Sequence, residues 1–156
     1  MFLFKASGDT YGRVVRQEVH AFRHDPAEVF GDEFVLLSKN RDDCAMLEKQ
    51  VQHVAKLLEV RKATPAELEL LFPTVNAGTR WDNVVRLYWR RELSVPFNLS
   101  EVSGLNEKFY RTVQGFSRLK DADAICVVQH LAKTNEQLIL DFINNAERPD
   151  TNAPGD

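Results

Sequence analysis

Residues 51–60 read VQHVAKLLEV, and whether this stretch is helix or strand decides the fold. Leu47, Val51, Val54, Ala55 and Leu58 fall on one face of a helix, whereas Val54, Leu58 and Val60 also share one side of an extended chain. Periodicity alone favours helix across 46–62. The flanking elements are clearer. Downstream, TPAE at 64–67 sets a capping threonine before a proline at the first helical position, with Glu67 where a capping box needs it. A short helix is therefore predicted over 65–72, stopped by Pro73. Upstream, the apolar run 34–37 lies between Gly31-Asp32 and the polar Ser38, which predicts a buried strand ending at Ser38.

Toward the N-terminus, Phe2 to Lys5 reads as a short strand, and ASGDT after it can cap a helix. Tyr11, Val15, Val19 and Phe22 recur at four- and three-residue intervals, so that helix is expected to run from Thr10 to about Phe22. Further on, GTRWDNVVRLYWRREL at 78–93 holds two tryptophans, a tyrosine and four arginines. In an extended chain Val85, Leu87 and Trp89 point one way and Val84, Arg86, Tyr88 and Arg90 the other, predicting a strand ended by Pro96 with a turn at NLSE. Residues 113–119 supply one more strand. Asp121 then caps a helix with Ile125, Val128 and Leu131 inward, and Thr134 with Gln137 forms a second capping box before 138–144. The order lacks the regular alternation of a doubly wound sheet. It predicts an α+β fold, a small mixed β-barrel or curled sheet of about six strands with helices packed outside.

At 156 residues the chain suits one globular domain, expected over 1–146. No run approaches the ~20 apolar residues of a membrane span, and the start lacks the pattern of a signal peptide, so a cytoplasmic protein with no membrane partner is expected. Cys44 and Cys126 are far apart and outside any C-x-x-C pattern, which favours two ordinary thiols. The net charge of −3 is concentrated from Glu136 onward, leaving the first 135 residues near neutral and open to a local basic patch. Residues 147–156, polar and aperiodic, read as a disordered acidic tail.

No Walker, Rossmann, nucleophile-elbow or zincin motif occurs. His20 and His24 have i, i+4 spacing, but no third ligand is evident, and Asp9, Asp25, Asp32 and Glu33 are accounted for as cap, turn and strand-edge residues. The expectation is a non-enzymatic protein without metal or cofactor. Trp89 reads as core. Trp81, at the junction of the NAGTR loop and the strand, suits the mouth of a pocket, where an indole face stacks on a base while Arg80, Arg90 and Arg91 meet phosphates.

The series FLFKAS, GDEFVLLSKN, VQHVAKLLEV, RWDNVVRLYWRRELSVPFNLSEV and YRTVQGFSRLKDADAICVVQHL, in that order, resembles the EVE domain and the related YTH domain of the PUA-like group. The resemblance covers roughly residues 1–133. It implies a curled barrel flanked by helices, with Val51 to Val60 as its third strand, and recognition of DNA or RNA carrying a modified base. Carried over, it points to Lys5, Ser7, Ser38 and Asn40 as pocket residues, with Phe22 and Trp81 as aromatic walls. Phe22 stands where YTH domains have tryptophan. Lys39, Arg41, Arg80, Arg90 and Arg91 would contact phosphates. Two alternatives stand beside this: an ASCH-like hydrolase of modified nucleosides, whose expected G-x-K-x-x-E-x-R signature is not found, and a protein-interaction domain with a vestigial pocket.

Overall fold

The computed structural model describes residues 1–6, 8–22, 33–39, 50–71, 83–106, 110 and 116–144. In chain order these form β1 (Phe2–Ala6), α1 (Gly8–Gln17), β2 (Val19–Phe22), β3 (Phe34–Lys39), β4 (Gln50–Lys62), α2 (Pro65–Leu71) and β5 (Asn83–Asn98). A 3-10 turn (Leu99–Glu101), β6 (Phe116–Arg118), α3 (Asp121–Thr134) and α4 (Glu136–Asn144) follow. The architecture is the expected α+β, with six strands in one sheet ordered β2-β5-β4-β3-β1-β6. Among the described residues β2 and β6 are its two edges. The pair β1/β3 is parallel and the other neighbours are antiparallel.

The deciding stretch is strand. Helical periodicity misleads there because β4 is covered on both faces. Val51 and Val54 join a core under α3 and α4, while Ala55 and Leu57 join a second core under α1. A strand buried on both sides loses its alternation and mimics one turn of helix after another. The two cores also divide β1, whose Leu3 faces α3 and α4 while Phe2 and Phe4 face α1.

Other expectations are corrected as well. The first helix stops at Gln17, because Glu18 adopts the left-handed conformation at φ 56 and VHAF then pairs with β5. His20 thus lies in a strand, so the i, i+4 helix face imagined for His20 and His24 does not exist. Pro96 does not end β5. Val51 pairs with Phe97 and His53 with Glu92, so 93–96 bulge out of register with β4, where a missing N–H costs nothing. In α3 the inward stripe is Asp123, Val127 and Leu131, leaving Ile125 and Val128 exposed. Finally, Thr134 ends α3 with its hydroxyl on the His130 carbonyl at 2.9 Å. Asn135, not Thr134, anchors the junction, with its side-chain amide bonded to both N–H and C=O of Val95 at 3.1 and 3.2 Å.

Trp89 also changes sides. Val54 pairs with Arg91 and Lys56 with Tyr88, so Ala55 opposes two residues, and Trp89 takes φ 52 in the resulting bulge. It packs half-buried against the α3/α4 core, opposite the face used by Val85 and Leu87.

Candidate functional site

β1 and β3 run parallel with Lys5 beside Ser38 and Leu3 beside Leu36. Register partners in a parallel pair point the same way, so the Lys5 amino group and the Ser38 hydroxyl share the α3/α4 face at the carboxyl ends of both strands. Both residues are buried, at 4% and 1% exposure, although neither side chain is apolar. In sheets with parallel strands the carboxyl ends are the usual place for ligands. The N-terminus of α1, the positive end of its helix dipole, begins two residues past Ala6 at this same end.

A buried amine needs acceptors. Lys5 Nζ donates to the main-chain carbonyl of Tyr110. The Tyr110 hydroxyl in turn donates to Asp123 Oδ2 at 2.5 Å and accepts the Lys120 N–H at 3.2 Å, and the Asn106 N–H donates to Asp123 Oδ1 at 3.4 Å. Tyr110 therefore bridges a buried base and a buried acid, holding the amine through its carbonyl and the carboxylate through its phenol. Burial, reinforced by the hydrogen bond and charge of Asp123, pushes the Tyr110 phenol up to about 12. Asp123 occupies the first turn of α3, where the helix dipole favours a carboxylate. Across the sheet the same row continues through Val51 and Phe97, whose ring packs at 4.7 Å against that of His130.

The structure thus brings together Lys5 and Ser38 of the residues picked from the sequence. Phe22 pairs with Asn83 at the start of β5, whereas Ser38 lies beside Val51 near the other end of β4, so the two backbones are not adjacent. Lys39 is half-buried and alternates onto the α1 face. Arg90 donates to the Val15 carbonyl, holding the end of α1, while the exposed Arg91 lies over the Trp89 ring at 4.8 Å and bonds the Arg90 carbonyl at 3.0 Å. Ser7, Asn40, Arg41, Arg80 and Trp81 lie outside the described residues. Tyr110 and Asp123 were not picked, because the Lys5 to Tyr110 bond spans 105 residues and no local pattern announces it.

On the α1 face a second polar group is buried. The Tyr11 hydroxyl lies 2.7 Å from His53 Nδ1 and 3.4 Å from the Leu37 carbonyl. Burial lowers the His53 pKa, opposed by Glu92 and assisted by Arg90, and burial together with Glu92 raises that of Tyr11. Among the described residues no group of three or more His, Cys, Asp or Glu is arranged to hold a metal, and no helix is long and apolar enough to cross a membrane.

No family model and no curated protein matches the sequence. Solved structures do match the fold. ASCH from Zymomonas mobilis superposes with a TM-score of 0.58 at 12% identity, over 82% of this chain and 93% of that one. A single-residue variant of that protein gives 0.58 at 14%, over 83% and 94%. A hypothetical protein from Leishmania major gives 0.52 at 11%, over 87% and 94%. At these identities the likeness establishes the fold alone, a PUA-like fold shared with the ASCH structures.

Proposed function

We propose that the protein is a non-catalytic nucleic-acid-binding module of the cytoplasm that takes a single modified or flipped base at the carboxyl ends of β1 and β3. In this reading its role is similar to that of the EVE and YTH domains of the PUA-like group, readers of modified bases in DNA or RNA. The observation that carries the reading is the Lys5/Ser38 pair, a donor and a donor-acceptor fixed side by side in the core. Such groups read the edge of an extruded base, and the base must leave its duplex or arrive single-stranded to reach them. Ser7 and Asn40, next in sequence after the two strands, and Trp81 lie outside the described residues and are kept as candidate pocket residues, Trp81 as the aromatic wall. Arg91 and Lys39 are the described candidates for phosphate contacts.

The test is fluorescence anisotropy of labelled single-stranded oligonucleotides carrying a panel of modified nucleosides, at several salt concentrations. Binding should weaken with salt, and Lys5→Met or Ser38→Ala should each lower affinity about tenfold, the value of one well-made hydrogen bond. No salt-dependent binding to any probe sinks the reading. A second reading, hydrolysis of a modified nucleoside by an ASCH-like enzyme, draws support from the same juxtaposed amine and hydroxyl and from the shared fold. Release of product from a modified nucleoside, abolished in Lys5→Met, would replace the first reading with this one.

A further inference from the structure

Trp89 carries two unfavourable features at one position. Its backbone lies in the left-handed region at φ 52, which bulky residues rarely adopt. Its indole Nε1 is buried with no hydrogen-bond partner among the described residues, a state that folded proteins avoid. Strain and an orphan donor on the same side chain mark a position shaped by something other than packing.

The surroundings of the ring indicate what that is. Lys56, buried at 3% exposure, places Nζ 5.3 Å from the Trp89 ring centroid, and the Arg91 guanidinium carbon lies 4.8 Å from it. A further neighbour comes from α4. The Phe142 ring meets Trp89 edge-on, with centroids 5.7 Å apart, and its centroid is 4.3 Å from Lys56 Nζ. The Phe142 carbonyl accepts from Lys56 at 3.4 Å. One residue of α4 thus offers the indole a ring and the lysine an oxygen. α4 itself is lightly held: none of its residues is buried, it docks through half-buried Leu138, Ile139 and Phe142, and it leaves Leu140 and Ile143 exposed.

We propose that Trp89, Lys56 and Arg91 form a binding site for a nucleotide, a planar heterocycle bearing a phosphate, and that Phe142 is its intrachain occupant. When α4 lifts, the heterocycle replaces the Phe142 ring on Trp89, one of its acceptor atoms satisfies Nε1, and the phosphate meets the ammonium and the guanidinium. The site lies on the α3/α4 face of the sheet, further along β4 than the Lys5/Ser38 row, and its existence does not depend on the function proposed for that row.

Titration calorimetry of the full chain with adenosine monophosphate tests it. Phe142→Ala should bind about tenfold or more tightly than the natural sequence, because the competing occupant is gone. Phe142→Ala/Lys56→Met and Phe142→Ala/Trp89→Phe should both lose that gain. Equal affinity with and without Phe142, or a gain that survives in both double variants, overturns the proposal. Since Phe142→Ala can loosen the fold, amide exchange of the natural sequence in excess nucleotide gives an independent reading. Faster exchange over 138–144 with slower exchange over 86–91 supports the site, and unchanged exchange in both segments overturns it.

Discussion

Replacing Tyr110 by phenylalanine removes one oxygen atom from the bridge that joins Lys5 to Asp123. The ring is buried at 1% exposure and Asp123 at 7%, so water does not take over the lost bond. The hydroxyl donates to a carboxylate at 2.5 Å, and hydrogen bonds to charged partners contribute about 1.5–3 kcal/mol. Among the described residues Asp123 keeps the longer bond from the Asn106 N–H at 3.4 Å, while Lys120, being exposed, can turn its N–H to water. Tyr110→Phe is therefore expected to cost about 2–3 kcal/mol, a fall of roughly 4–12 °C in melting temperature for a chain of this size. Urea unfolding followed by tryptophan fluorescence measures it as a lower midpoint with an unchanged slope. The pH dependence supplies a second check. With its pKa raised to about 12 from 10.0, the folded state holds the phenolic proton more tightly than the unfolded chain. That stabilisation is complete below pH 10 and is lost as pH rises toward 12, so the gap between natural and variant proteins should narrow across this window. A cost below about 0.5 kcal/mol, or a gap that stays constant above pH 10, refutes the bridge.

Glu67→Ala should destabilise by about 1 kcal/mol by removing the capping box with Thr64 and the two-pronged contact to Arg61 at 2.6 Å. Burial works against ionisation of Glu67, but the bonds from Arg61 and Thr64 outweigh it and hold the carboxyl at about 2. The difference between natural and variant proteins should therefore be full above pH 4.5 and vanish as pH falls to 2 in acid titrations followed by circular dichroism. His53 should titrate below 6.5 by NMR, and because its folded pKa is depressed, its contribution to stability is present above 6.5 and lost as pH falls. Titration at or above 6.5 contradicts the buried Tyr11 contact. Gly104→Ala should cost about 1 kcal/mol or more in urea unfolding, since φ is +83 and the new methyl would lie 3.2 Å from Cys126 Sγ.

The features legible in the sequence are those whose causes lie within a few residues. Thr64 and Glu67 announced α2 because the bonds that cap it join residues three apart. The turn after Asn98 was visible for the same reason, with the Asn98 N–H on the Glu101 carboxylate at 2.8 Å. β4 was not legible, since its apolar residues serve two cores and its pattern has no single period. The end of α1 was missed because the left-handed stop falls on Glu18 rather than a glycine.

The sequence by itself determined the α+β composition, the local caps, and through its ordered motifs the placing of Lys5 and Ser38 at strand ends. Only the tertiary structure decided that these two lie side by side, that Tyr110 bridges them to Asp123, and that Trp89 crosses to the α3/α4 face under Phe142. The reason is physical. Propensity and capping act over one turn of chain, whereas register, bulges and buried polar pairs are set by partners from distant segments, chosen because each buried donor must find an acceptor once the sheet has formed.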